Sequence, residues 1–311
     1  MIISASRRTD IPAFYSEWFI NQIKNGVFIR KNPYNGQLIT NDFKPEDIQC
    51  IVFWTRNPRP MLKHGYLDYL DELGIPYYFQ YTITGYPKAI EKHVKHPLNT
   101  IDTFNELAER IGGEKVIWRF DPILLSQYTP VEELLRLHGK IASMIHSDTQ
   151  QNVISFLDDY QKTGRNLKLA GIESRDILAY PDELHDLLTG ISETAIKHHL
   201  HLSTCAENID LEKYGIAKGK CIDGDFIKNV LGVKVSKAKD QGQRKECGCV
   251  KSIDVGLYDT CVHGCHYCYA TQSQSDATQH FKNHDPNNPL IIPDNEALKH
   301  LNFLKNSNRI I

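Results

Sequence analysis

A chain of 311 residues, 41% hydrophobic and 24% charged, has the balance of a soluble globular protein and the length for one large domain or two small ones. Its net charge of -2 excludes a global basic field for nucleic acid, leaving only local patches for such a partner. No run approaches the roughly 18 apolar residues of a membrane span. The Met1–Arg8 start lacks a signal-peptide layout, so no membrane partner and a cytoplasmic location are expected.

Apolar runs with strand character recur at Ile2–Ser6, Gln49–Thr55, Tyr77–Thr84, Lys115–Phe120, Asn152–Leu157 and His201–Cys205. Helical periodicity fills most of the gaps between them. Ile101, Phe104, Leu107, Ala108 and Ile111 share a face ahead of a Gly112-Gly113 stop. Thr129-Pro130-Val131-Glu132 reads as a threonine N-cap, a proline at the first helical position and a glutamate three after the cap. Behind it, Val131, Leu134, Leu135, His138, Ile141 and Ile145 line one side. Leu184, Leu187, Leu188 and Ile191 mark a third helix. Strands alternating with helices predict a parallel α/β architecture. No glycine-rich phosphate loop follows an early strand, which favours a barrel over a doubly wound nucleotide-binding sheet.

Barrels carry their sites on the loops after the strands, and the polar residues here gather at those places. The first strand ends in Ser6-Arg7-Arg8-Thr9-Asp10 and the second in Trp54-Thr55-Arg56-Asn57-Pro58. The third passes through Gln80, Thr82 and Thr84, the fourth ends in Arg119-Phe120-Asp121-Pro122, and the sixth in Thr204-Cys205-Ala206-Glu207. Arg7, Arg8 and Arg119 are expected to pair bidentately with a carboxylate or phosphate, beside Asp121. Gln80, Thr82, Thr84 and Glu207 are expected to hydrogen-bond ribose or substrate. The plainer alternative is ion pairing of Arg7, Arg8 and Asp10 at a rim, with Asp121 capping a turn.

Eight cysteines, all but Cys50 beyond residue 200, point to metal binding in a reducing cytosol more than to disulfides. Cys50 lies in an apolar run and is expected in the core. Ser252–Tyr258 alternates apolar Ile253, Val255 and Leu257 with small or polar residues, reading as a half-buried strand. The sequence Cys261-Val262-His263-Gly264-Cys265-His266-Tyr267-Cys268 follows at once. Three thiolates at CxxxCxxC spacing can hold three irons of a 4Fe-4S cluster and leave the fourth open to a small molecule. A zinc knuckle would instead need a fourth ligand from His263, His266 or a distant residue. Cys205, Cys221, Cys247 and Cys249 suffice for a second site, either tetrahedral zinc or another 4Fe-4S cluster, and a metal staple there would hold the glycine- and lysine-rich Lys218–Gln243 stretch. The expected organisation is a parallel β/α core over 1–207, an irregular cysteine-containing insert over 208–251, and a cluster-bearing strand, loop and helical segment over 252–311.

The cysteine spacing, with Tyr267 directly before the third thiol, resembles the cluster loop of the radical S-adenosylmethionine (radical SAM) enzymes, and GCHYCYA is most similar to the spore photoproduct lyase branch. That resemblance implies a cluster whose open iron binds S-adenosylmethionine. It also implies a reductant such as flavodoxin or ferredoxin, and cleavage to a 5'-deoxyadenosyl radical. In those enzymes the loop follows the first barrel strand. Its C-terminal place here implies a partial (β/α)6 barrel in permuted order, with Ser252–Tyr258 parallel to and beside Ile2–Ser6. The whole-chain pattern of SASRRTDIP, FWTRNP, RFDP and TCVHGCHYCYA resembles the bacterial family DUF1848, which brings no settled reaction. The expected function is a radical SAM enzyme acting on an unidentified substrate, with nucleic acid among the classes. The alternatives are a non-catalytic iron-sulfur electron carrier or redox sensor, and a zinc-stabilised barrel that binds nucleic acid or a small ligand.

Overall fold

A computed structural model describes residues 1–31, 35–158, 160–296 and 298–299. Eight strands form its main sheet: β1 Ile2–Ala5, β2 Cys50–Thr55, β3 Tyr77–Thr82, β4 Val116–Ile123, β5 Gln151–Phe156, β6 His201–Cys205, β7 Ala217–Gly219 and β8 Ile253–Asp254. Their order is β7-β6-β5-β4-β3-β2-β1-β8, and every neighbouring pair is parallel. β7 and β8 are the two edges and do not pair with each other.

Parallel strands covered on both faces become near-continuous apolar runs, and successive side chains go to opposite sides. On β2, Ile51 and Phe53 join the main core with Phe19, Leu70, Phe104, Leu107, Leu134 and Leu187. These partners come from the helices Ser16–Asn25, Tyr66–Glu72, Pro97–Ile111, Val131–Ala142 and Pro181–Lys197. Cys50 and Val52 point the other way, into a second core with Ile2, Tyr78, Ile117 and Val153. That face is covered by Cys221, Ile222, Phe226, Ile227, Cys247, Cys249 and Val250. Strand order runs unbroken from β1 to β7, so right-handed crossovers all fall on one face, unlike the two-sided winding of sheets whose order reverses.

The sheet therefore has eight strands where six and a C-terminal seventh are expected. The addition is β7, whose Ala-Lys-Gly sequence carries no strand pattern. It packs beside β6 because Gly219 has no side chain: a Cβ there would lie 2.3 Å from the Thr204 carbonyl oxygen. Residues 208–251, expected to be irregular, supply this strand, the helix Gly224–Leu231 and much of the inner core. The C-terminal strand does run parallel beside β1, in register Ile3↔Ile253 and Ser4↔Asp254, but is far shorter than Ser252–Tyr258. Its ladder ends with Val255 N–H donating to Ser4 O at 3.1 Å. Thr129 does not cap its helix; the helix starts at Val131, and the buried Thr129 hydroxyl donates to Leu124 O at 2.5 Å. The helix Gln274–Lys282 follows the cysteine loop, and residues 300–311 of the expected C-terminal segment lie outside the described residues. No helix among the described residues is long and apolar enough to cross a membrane.

Candidate functional site

The loops after the strands enclose a cavity of about 420 Å³, lined by Arg7, Arg8, Trp54, Arg119, Asp121 and Tyr267 and by every cysteine except Cys50. Cys50 is fully buried in the inner core.

One wall is the cysteine loop. Asp254 on β8 fixes its approach, accepting from Ser6 Oγ at 2.6 Å, Arg7 N at 3.0 Å, Ser4 Oγ at 3.2 Å and Gly256 N at 3.0 Å. The chain can pass Ser6 only as glycine, since a Cβ on Gly256 would sit 2.0 Å from Ser6 Oγ. Residues 90–93 then clamp the loop: His93 N donates to His263 O at 2.9 Å, His266 N to Ile90 O at 3.1 Å, and Glu91 and Cys265 form an antiparallel bridge. Asp10 anchors it from below, accepting from Thr55 Oγ1 and Arg56 N, each at 2.7 Å, and meeting His263 Nε2 at 2.8 Å. Glu91 pairs with Arg56 at 2.8 Å and accepts from Thr84 Oγ1 at 2.6 Å, while the Tyr267 hydroxyl bridges Arg56 and Glu91. Burial pushes the Cys261 thiol well up and Cys265 to about 12. Burial of this kind keeps a thiol protonated at neutral pH.

The facing wall gathers Cys205 from the end of β6, Cys221 after β7, and Cys247 and Cys249 ahead of β8. Cys205 and Cys221 Sγ lie 2.9 Å apart, well beyond the roughly 2.05 Å of a disulfide, and all eight cysteines are free. Cys221, Cys247 and Cys249 pack together in the inner core. Trp54 is stacked between guanidinium groups, with Arg7 5.0 Å and Arg119 5.3 Å from its ring centre. Arg119 donates to Asp121 Oδ2 through Nε (2.9 Å) and Nη2 (2.6 Å), and through Nη1 to Gln80 Oε1 and Cys221 Sγ, each at 3.1 Å. The Cys221 hydrogen bond, assisted by the Arg119 charge against the cost of burial, brings Cys205 down to about 7 and leaves the shared proton on Cys221. Burial favours a neutral Asp121, but Arg119 and the Ser155 hydroxyl outweigh it and hold the carboxyl below its ordinary range.

Among the expected residues, Arg8, Thr82, Arg119, Asp121, Tyr267 and both cysteine sets line this cavity. Gln80 and Thr84 sit behind the lining: Gln80 Nε2 donates to Cys221 O at 2.8 Å, and Thr84 is bound to Glu91. Arg119 is committed to Asp121 in the same way. Glu207 lies in a neighbouring hollow with Asp158 and Arg244, its Oε1 accepting from Phe156 N at 2.9 Å. Arg8 keeps a partly free guanidinium, 28% exposed and 3.9 Å from Asp254. Arg7 and His263 stand at the site as expected, and the structure adds Asp10, Arg56, Glu91 and Trp54. Asp10, Trp54, Arg56 and Arg7 stand in the strand-end runs, whereas Glu91 lies in a connection with no motif.

Among the described residues, no group of three or more His, Cys, Asp or Glu is arranged to hold a metal ion. A single ion needs its donors to meet at one point about 2.3 Å from each sulfur. A polynuclear cluster distributes its thiolates over separate irons. Cys261, Cys265 and Cys268 all line the cavity.

The family model described as a domain of unknown function, DUF1848, matches residues 2–270, and the chain belongs to this family. No curated protein and no solved structure matches the chain.

Proposed function

We propose that this protein is an iron-sulfur enzyme of the radical SAM kind, built on a parallel β/α frame in permuted order, with Cys261, Cys265 and Cys268 as the cluster ligands. The observation that carries the reading is the pairing of β8 with β1. Because β8 is parallel to the rest of the sheet, its loop opens at the strand C-termini, onto the cavity that the other polar strand ends already line. When bound, the cluster and S-adenosylmethionine would supply an electron and a radical that abstracts a hydrogen atom from a substrate. The rest is the protein's work. Asp10, Arg56, Glu91 and Tyr267 hold the loop rigid and keep the three sulfurs on one wall. Arg8 offers a guanidinium to a carboxylate or phosphate, and Thr82 offers a hydroxyl at the lining. A cavity of about 420 Å³ has the size of a small-molecule site.

Anaerobic reconstitution with iron and sulfide tests this reading, followed by dithionite reduction with S-adenosylmethionine present and assay for 5'-deoxyadenosine. The wild-type chain is expected to form it, and Cys261→Ala, Cys265→Ala and Cys268→Ala each to form none. Zinc without sulfide in the wild-type protein, or a triple variant with the same iron and spectrum, would refute the assignment.

A further inference from the structure

Cys205, Cys221, Cys247 and Cys249 come from three separate stretches of chain, yet pack into the inner core and line the same cavity as the cysteine loop. Cys205 and Cys221 Sγ touch at 2.9 Å. Backbone and side-chain donors already point at the sulfurs: Ile222 N reaches Cys249 Sγ at 3.3 Å and Arg119 Nη1 reaches Cys221 Sγ at 3.1 Å. Arg7 lies across Trp54 from Arg119 and lines the same cavity, and its Nη2 is buried with no hydrogen-bond partner. A buried charged donor without an acceptor is costly, and native proteins rarely leave one unless a missing group completes it.

We propose that these four cysteines ligate a second iron-sulfur cluster, with Arg7 and Arg119 as its counter-charge and hydrogen-bond donors. Four thiolates suit one tetrahedral zinc and a 4Fe-4S cluster alike; the choice of iron-sulfur rests on the function proposed above, in which a neighbouring redox centre has a use. A 4Fe-4S core held by four thiolates is a net dianion. The guanidinium groups on either side of Trp54 offset that charge, and Arg7 Nη2 gains a sulfur acceptor. With all four irons ligated by protein, this cluster has no open coordination position. Such a cluster suits electron transfer and not substrate binding. The assignment stands on different residues from those of the proposed catalytic loop.

The test uses the full chain with Cys261, Cys265 and Cys268 all changed to Ala, reconstituted anaerobically with ferrous iron and sulfide. It is expected to retain about four irons and four sulfides and a brown colour that bleaches with dithionite. Adding Cys205→Ser and Cys221→Ser should remove them. In the otherwise native chain, Cys205→Ser with Cys221→Ser should lower iron by about half and leave the loop-bound share. A folded triple variant that is iron-free, or that holds one zinc and no sulfide, overturns the proposal. Should the triple variant fail to fold, unchanged iron in the Cys205→Ser, Cys221→Ser protein overturns it instead. Equal iron in the native and triple-variant chains would remove the loop assignment and support the quartet.

Discussion

On the loop wall, Arg56 finds Glu91 at 2.8 Å and Asp10 meets His263 at 2.8 Å. On the quartet wall, Arg119 turns a donor to the Cys221 thiol and Arg7 keeps an N–H without an acceptor. The first wall satisfies its charges within the protein and leaves its three thiols apart from any guanidinium hydrogen bond. The second presents positive groups to its sulfurs. A cluster with one open iron needs a rigid cradle and an unencumbered face, whereas a fully ligated cluster is tuned by the donors around its sulfurs. The contrast is what those two tasks would require.

Breaking the pairing on the loop wall should produce the largest change in stability. The Glu91 side chain is 2% exposed and that of Arg56 11%, so Glu91→Gln leaves a buried guanidinium without its counter-charge. Loss of one partner of such a pair costs about 3–5 kcal/mol. Urea denaturation should show it as a lower midpoint with an unchanged slope. A loss below about 1 kcal/mol would mean that Tyr267 and Thr84 alone hold Arg56.

Gly256→Ala attacks the same wall through packing. The added Cβ meets Ser6 Oγ at 2.0 Å and Ser6 Cβ at 2.6 Å, so Ser6 must move off Asp254 or β8 must move off β1. Overpacking of this kind costs about 1–3 kcal/mol. Amide exchange at Val255, whose N–H bonds Ser4 O, should quicken by a larger factor than exchange in β4 or β5.

The readable parts of this molecule are those where local pattern and tertiary environment agree. β1 to β6 are strands covered on both faces, so their apolar runs announce them, and the strand-end polar residues line the cavity because parallel strands all end on one side. The cysteine sets show in composition and spacing alone. What escapes is whatever depends on partners distant in sequence. β7 is Ala-Lys-Gly, held only by a close approach to β6. Glu91 reads as an ordinary surface glutamate until Arg56 and Tyr267 close on it. Gln80 and Thr84 sit behind the lining on protein partners, and Arg119 lines the cavity while bound to Asp121. Glu207 ends the same strand as Cys205, yet the chain turns it into the next hollow.

Glu207 sharpens the comparison from outside the cavity. Burial pushes its carboxyl from the usual 4.5 up to about 7, against the pull of the Phe156 N–H donor. The folded protein therefore keeps a proton that the unfolded chain releases between those values. The stability this contributes is fully present below pH 4.5 and is lost as pH rises through about 7. Allowing for partial exposure, about 1–2 kcal/mol is at stake. The wild type minus Glu207→Gln difference should fall across that interval, and a flat difference would show that Glu207 titrates normally. Asp121, held below its ordinary range beside Arg119, gives the opposite slope at lower pH, so only the difference between the two proteins isolates Glu207.

Arg8 should produce the smallest change in stability, and for that reason tells most about which wall meets the ligand. Its guanidinium is 3.9 Å from Asp254, whose carboxylate already accepts four closer hydrogen bonds, and it stacks on Tyr258 at 5.3 Å. Removing so loose a pair shifts stability by under about 1 kcal/mol. Arg8→Ala should therefore melt within a few degrees of the wild type and keep its iron. If Arg8 is the cation that receives an anionic ligand, the same variant should weaken S-adenosylmethionine or substrate binding by about tenfold, the worth of one charged hydrogen bond. Arg8→Lys should restore part of that loss, because it keeps the charge and gives up the bidentate fork. Isothermal titration of the reconstituted protein separates the outcomes. Unchanged affinity in Arg8→Ala would make Arg8 a rim residue and leave ligand recognition to the loop wall.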